Sequence, residues 1–492
     1  MKRARSENEL SQKTKMQRPE AAFEELERIL NEATAGLDRQ REAVRRAAAA
    51  LETERERQRE AARIVHEETT HPTPAANDET AIAKMQTDDD AKLWNLTSEF
   101  CKHWDILEKH TDALGVRNVL AAFYFLFKLV NNEDNHGLDF FPESEDWFKY
   151  TGRFLGLYVK DVVPDTPDRV HLTDHTNDML DTPLLKDVKV EMLKEEDGAA
   201  AWADNINNDC NTATNGKITQ VVTEDALNDK NLALVVMAAE FIKGYWVYDF
   251  ASTTTNYPFF GAGDAPLGRC HMMHHKISNL GGGELFYDGQ HCKAVLMPTK
   301  RKEDDRNRTS IYGLVVLPNG EPDKPTPLDA MNRANDEIGE NLAELKKIVD
   351  DGDKTPMVLE MPRIEHKMNA FDLTKTCRDV FGAALTKVDG ITEIETPGGT
   401  ELAPLEVGRV MHSTFLKVNE TGFEAAAATT IEVMYRSLDL PPTIMTVNRG
   451  FLFYLVEMGE QPHVLYYCRI TDDTGLKDAE AAPGATENPY RG

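Results

Sequence analysis

Five apolar runs from residue 231 onward, each eight to twelve residues long and closed by turn-forming residues, limit the fold most. They are NLALVVMAAEFI (231–242), HCKAVLMP (291–298), TSIYGLVVLP (309–318), TPMVLEMPRI (355–364) and FLFYLVEM (451–458). Runs of this kind form strands buried on both faces. HVLYYCRI (463–470) follows the last of them across a short turn and is expected to make a hairpin with it. Helical patterns come earlier. NVLAAFYFLFKLV (118–130) is apolar on nearly all sides, as a buried helix would be. GAAAWADNINNDCNTATNG (198–216) reads as a helix stopped at Asn215–Gly216, where a left-handed C-cap is cheap. Residues 322–350 and 370–382 add further helical character, the second as a short amphipathic segment. Helices first and non-alternating strands after predict an α+β domain with large central sheets.

That domain is expected over 90–472. Residues 1–19 read as a disordered basic N-terminus. Over 20–66, Phe23, Leu26, Leu30, Ala33, Leu37, Val44, Ala47 and Leu51 recur at three- and four-residue steps, a heptad seam weakened by Gly36. It reads as a helical extension, either a charged helix lying against the domain or a coiled coil through which the chain self-associates. Residues 67–89 form a linker broken by Pro72 and Pro74, and 473–492 a disordered polar tail.

The formal net charge of -28 repels nucleic acids and anionic membranes overall, so neither is expected as a partner. No run of 18 apolar residues suggests a membrane span, and MKRARSENELSQKTKMQRPE lacks the apolar stretch of a signal peptide. The six cysteines are far apart, without a C-x-x-C pair, and read as reduced thiols of a cytoplasmic protein. Cys270, His271, His274 and His275 in RCHMMHHK can be drawn as a metal set, but a sheet position suits them better. Gly281–Gly283 lacks the Lys-Ser/Thr of a phosphate loop. No ordered Ser-His-Asp set stands out. No metal, no cofactor and no enzymatic activity are expected.

Residues 420–437 read ETGFEAAAATTIEVMYRS. The alanines favour helix. Counted in twos, however, Phe423, Ala425, Ala427, Thr429, Ile431 and Val433 are all apolar or small enough to bury. Glu424, Ala426, Ala428, Thr430, Glu432 and Met434 tolerate an exposed face. Pattern leaves surface helix, sheet strand and a loop able to become either all open.

At this point the chain resembles the serpins, whose typical members inhibit serine proteases by a conformational trap. Asn215-Gly216-Lys217-Ile218 is similar to the family's T-N-G-K-I turn. Phe241, Lys243, Gly244 and Trp246 are similar to its Y-F-K-G-x-W segment, and Met361-Pro362-Arg363 to its L-P-K/R-F strand. His412 matches the histidine of the H-K-A strand, which leads into Asn419-Glu420-Thr421-Gly422-Phe423-Glu424-Ala425-Ala426-Ala427-Ala428-Thr429, close to the hinge E-x-G-T-E-A-A-A-A-T. Phe451-Leu452-Phe453 and Arg469 match the F-L-F and G-R-V segments that follow.

The resemblance implies a loop exposed in a metastable state, attacked as a substrate and held as an acyl-enzyme. The cleaved arm then inserts into the main sheet and distorts the enzyme. It implies a hinge and inserting arm at Glu420, Gly422 to Thr430, Ile431 and Val433. The bait bond falls at Arg436–Ser437, which implies a trypsin-like target. It also implies a sheet-opening region around His412, in which Ala122, Phe125 and Ala238 stand where the family has polar partners of that histidine. Phe423 replaces a small residue at the first position to enter the sheet. Its bulk suggests an alternative: a non-inhibitory binding protein or chaperone whose loop is cleaved without trapping, because insertion is slow.

Overall fold

Every residue of β19 (Phe451–Glu457) and β20 (His463–Ile470) is buried, which is why both read as unbroken apolar runs. They pair antiparallel, Phe453 opposite Cys468, as the expected hairpin. The structure is a computed structural model. It describes residues 89–107, 112–131, 136–143, 153–163, 166, 168–240, 242–275, 283–301, 308–423, 443–476 and 486–487. The chain divides into units 1–80 and 81–492, and all described residues belong to the second. The N-terminus, the heptad seam and all of the linker but Asp89 therefore lie outside the described residues.

The largest sheet runs β1 (Asp112–Leu114), β20, β19, β11 (Arg308–Pro318), β10 (Cys292–Lys300), β6 (Gly244–Trp246), β17 (Gly422–Phe423), β16 (Met411–Asn419), β13 (Ile364–Asp372). A further strand, β9 (Leu285–Asp288), also pairs with β10. A second sheet has the order β18 (Thr443–Thr446), β12 (Met357–Pro362), β8 (Gly268–His274), β7 (Ser252–Phe259), β21 (Thr486–Glu487). Two three-stranded sheets complete the set. One is β4 (Lys189–Leu193), β2 (Arg153–Lys160), β5 (Leu234–Glu240); the other is β15 (Gly399–Leu402), β14 (Thr392–Thr396), β3 (Arg169–Leu172).

The described helices are α1 (Asp89–Leu107), α2 (Val116–Leu129), α3 (Asp174–Leu180), α4 (Gly198–Ala213), α5 (Glu224–Leu227), α6 (Leu328–Glu340), α7 (Leu342–Asp351) and α8 (Thr374–Phe381). Twelve of the fourteen residues of α2 are buried, as its all-round apolar surface requires. The helix α4 lays Trp202, Ala203, Ile206 and Cys210 against Tyr158, Leu193, Met237 and Ala239 of β2, β4 and β5. It stops where expected. Asn215 and Gly216 take φ of 51° and 80°, and the Gly216 amide returns to the Asn211 carbonyl at 2.8 Å.

Two boundaries differ from the sequence reading. Residues 370–372 belong to β13 rather than to a helix, because Phe371 and Asp372 pair with His412 and Met411. The packing also continues past residue 472. Leu476 is fully buried, Gly475 accepts the Glu365 amide at 2.8 Å, and β21 pairs with Thr254 and Thr255 of β7. The tail is thus structured at both of its described segments.

Candidate reactive-loop site

β16 ends at Asn419, and the chain reverses over Glu420–Thr421 and returns as β17. Val418 stands opposite Phe423 and Asn419 opposite Gly422. A two-residue reversal needs local capping, and the Asn419 side chain supplies it. Its Oδ1 accepts from the Thr421 amide (3.1 Å), the Thr421 hydroxyl (3.1 Å) and the Gly422 amide (3.2 Å). On its other side β17 pairs with β6, Gly422 opposite Tyr245 and Phe423 opposite Gly244. The Trp246 and Phe250 amides donate to the Thr421 and Glu420 carbonyls, each at 2.9 Å, and the Trp246 indole donates to the Asn419 carbonyl at 2.9 Å.

Glu420 is fixed by charge. Arg363 donates to its Oε2 from Nη2 at 2.9 Å and from Nε at 3.1 Å, and Thr253 donates to its Oε1. The two ionic side chains are only 6% and 13% exposed, so removing either would strand the other charge away from water.

Phe423 is 2% exposed, with its ring 5.7 Å from that of Trp246. Two glycines make the seat. A Cβ on Gly244 would come within 2.3 Å of the Phe423 ring, and one on Gly422 within 2.2 Å of the Gly244 carbonyl oxygen. This corrects the idea that Phe423 still has to enter the sheet: it already lies in the ladder, bonded on both sides. Beyond it, Glu424, Ala425, Ala426, Ala427, Ala428, Thr429, Thr430, Ile431, Val433 and the Arg436–Ser437 bond lie outside the described residues. The chain is next described at Thr443 in β18, which pairs in parallel with β12.

Among the described residues β5 pairs only with β2, and the ladder from β16 toward β17 covers only Val418 and Asn419. A small cleft, open to solvent, lies where Ile242 just beyond β5, Phe415–Lys417 of β16 and Phe423 meet. Leu455, Tyr466 and the Thr214, Lys217 and Ile218 side chains close its other walls. The segment after α4 is tied to β16 by the Ser413 hydroxyl, which donates to the Gln220 carbonyl at 2.9 Å. Lys217 also lies 5.1 Å from the centre of the Phe415 ring.

His412 is buried, and its Nε2 accepts the Gly115 amide at 3.1 Å, so its remaining proton sits on Nδ1. Burial pushes its pKa down to about 4. The partner is therefore Gly115, just before α2, which begins at Val116 rather than Asn118. Of the residues aligned with the polar partners, Ala122 is half-buried on α2, Phe125 is buried in the main core, and Ala238 is half-buried on β5. Gly115 carried no local signal. Arg363, Gly244 and Trp246 were visible only as parts of motifs, their convergence on the hinge being a tertiary event.

The histidine-rich segment binds carboxylates. His274 Nδ1 lies 3.0 Å from Glu360 and His275 Nδ1 2.8 Å from Glu284, with His275 stacked 3.7 Å from Phe250. Cys270 is buried, which pushes its thiol pKa up, and all six cysteines are buried and outside any disulfide. Among the described residues no three His, Cys, Asp or Glu side chains cluster as a metal set.

A hinge seated at the head of a partly open sheet, with nineteen residues between it and the next described strand at Thr443, suits a reactive-loop protein. The family model "Serpin (serine protease inhibitor)" matches residues 184–472, more than half of the chain, and the chain belongs to the serpin family. Human antithrombin-III is 25% identical over 288 residues, covering 56% of this chain and 54% of that protein. Serine protease inhibitor 2 of Anopheles gambiae is 23% identical over 254 residues, covering 51% and 56%. The chain thus spans about half the length of the curated relatives it matches. Among solved structures, the native thermophilic serpin tengpin matches with a TM-score of 0.57 at 13% identity, over 78% of this chain and 93% of that one. Human kallistatin matches with a TM-score of 0.57 at 16% identity, over 78% and 99%. These likenesses establish the fold.

Proposed function

We propose that the protein inhibits trypsin-like serine proteases by trapping the acyl-enzyme, with Arg436–Ser437 as the bait bond and residues 424–433 as the arm that inserts between β5 and β16. The observation that carries the reading is the position of Gly422 and Phe423, already laddered to β16 and β6 at the head of that lane. An arm whose first two residues occupy sheet positions needs only to extend the ladder. Each added residue gains backbone hydrogen bonds, and the small residues at 425, 427 and 429 limit the steric cost of entry. The chemistry belongs to the target enzyme, and the contest is one of rates: insertion must outrun deacylation.

The test is equimolar incubation with trypsin, followed by a denaturing gel and mass spectrometry. An SDS-stable adduct with release of a fragment beginning at Ser437 is expected. Cleavage at Arg436 with full protease activity remaining would sink the inhibitor reading and leave the non-inhibitory binding protein.

A further inference from the structure

Cross-strand neighbours lead away from the hinge in one line. Gly422 pairs with Tyr245, Tyr245 with Lys300, and Lys300 with Arg308. Arg308 then turns onto Tyr248: its Nη2 donates to the phenol oxygen at 3.1 Å, and its guanidinium carbon lies 6.0 Å from the ring centre. Lys354 donates to the same oxygen at 3.2 Å, with its ammonium 4.4 Å from the ring centre. Lys243 lies 5.5 Å from the Tyr245 ring centre. Two tyrosines thus hold three cations over their faces, and Arg301 stands exposed next to Lys300.

The strip runs against the sign of the whole molecule. It gathers Lys243, Lys300, Arg301, Arg308 and Lys354 in a chain of net charge -28. Among the described residues none of Lys243, Lys300, Arg301 and Arg308 is salt-bridged. The acids nearest in sequence are Glu303, Asp304 and Asp305, which with Lys302 and Arg306 join Arg301 to Arg308 and leave 299–308 with five basic residues against three acidic ones. Asp249 stands beside Tyr248, Asp353 beside Lys354, and the Asp350 charge is felt with that of Arg308 at Tyr312. Stacking on rings holds the cations in place before any partner arrives, which reduces the ordering entropy that binding would cost.

We infer that this strip is an exosite that receives an acidic surface patch of the protease attacking the loop. The inference rests on the inhibitor reading and adds a determinant of partner choice outside the bait. The place fits. Both described ends of the loop, Phe423 and Thr443, are anchored on this side, through β6 and Arg363 at one end and β12 at the other. An enzyme engaged on the loop therefore arrives where the strip begins. Opposite charge there raises the encounter rate and selects among enzymes that share one specificity pocket.

The test compares Arg301→Glu/Arg308→Glu with a control, Lys186→Glu/Lys387→Glu, which makes the same change in net charge at exposed lysines elsewhere. The readout is the second-order rate of loop cleavage at Arg436–Ser437 by anionic trypsin. At low ionic strength the strip variant should be slowed about tenfold or more relative to the control, and the gap should close near ~1 M salt. Equal rates for the two variants would overturn the exosite. If Arg308→Glu prevents folding, Lys243→Glu/Arg301→Glu carries the same test. Adduct yield, read from the same reactions, bears only on the inhibitor reading. Hexaglutamate binding by titration calorimetry needs no cleavage: retention in the control and loss in the strip variant is expected, and no binding to the wild type would overturn the exosite.

Discussion

A single aromatic ring sets the state of the hinge. Phe423 fills the space that Gly244 leaves, so Gly244→Ala should drive a methyl group into the ring at a cost of about 1–3 kcal/mol. In a Phe423→Ala background the same substitution should cost little, and urea unfolding of the four variants should give a coupling of at least about 1 kcal/mol. Strictly additive costs would mean that the ring is not seated there. His412 supplies a second expectation. Its pKa falls from an ordinary value near 6.5 to about 4 on folding, because burial favours the neutral ring. The unfolded chain therefore binds the extra proton between those values. Stability is complete above about pH 6.5 and is lost as pH falls toward 4, by about 3 kcal/mol from this group. Burial, with the Arg117 charge adding to it, pushes His463 the same way, to about 3. Melting temperature followed from pH 7 to 4 should fall, and His412→Gln should flatten part of that slope.

Among the elements, α4 is the one stapled across the sheet beside the lane. Asp209 accepts from the Tyr158 hydroxyl at 2.6 Å and from Lys189 at 2.5 Å, joining the helix to β2 and β4. Asp209→Ala leaves the buried phenol without its acceptor and should lower stability by about 1–3 kcal/mol, seen as a reduced urea midpoint at unchanged slope. If α4 must yield for a strand to pass, the same variant should form adduct faster with trypsin. Strands differed in how far they could be read from the chain. β10, β11, β19 and β20 are buried on both faces and announce themselves as apolar runs. β15 is exposed at every position and β7 at every few, so hydropathy gives neither away. RFLGLYVK of β2 carries no clear strand signal, because Gly156 and the flanking charges break its pattern.

For the molecule as a whole, the α+β architecture and the family were legible because ordered motifs survive in the second half of the chain. The contacts that define the site were not, because they join distant segments: Trp246 to Phe423, Arg363 to Glu420, Gly115 to His412. The two-residue reversal at Glu420–Thr421 carries one further consequence, for the spacing of the loop. With Phe423 facing inward, insertion of the arm as the proposed strand would turn Ala425, Ala427, Thr429, Ile431 and Val433 to the same side. Deleting any one alanine from 425–428 would shift the frame, turning Glu432 inward in place of Ile431 and moving the bait one step closer to the hinge. Such a deletion variant should still be cut by trypsin yet yield little adduct on a denaturing gel. On the proposed mechanism the alanine run would act as a ruler as well as a lubricant, its length kept in step with the strand it would become.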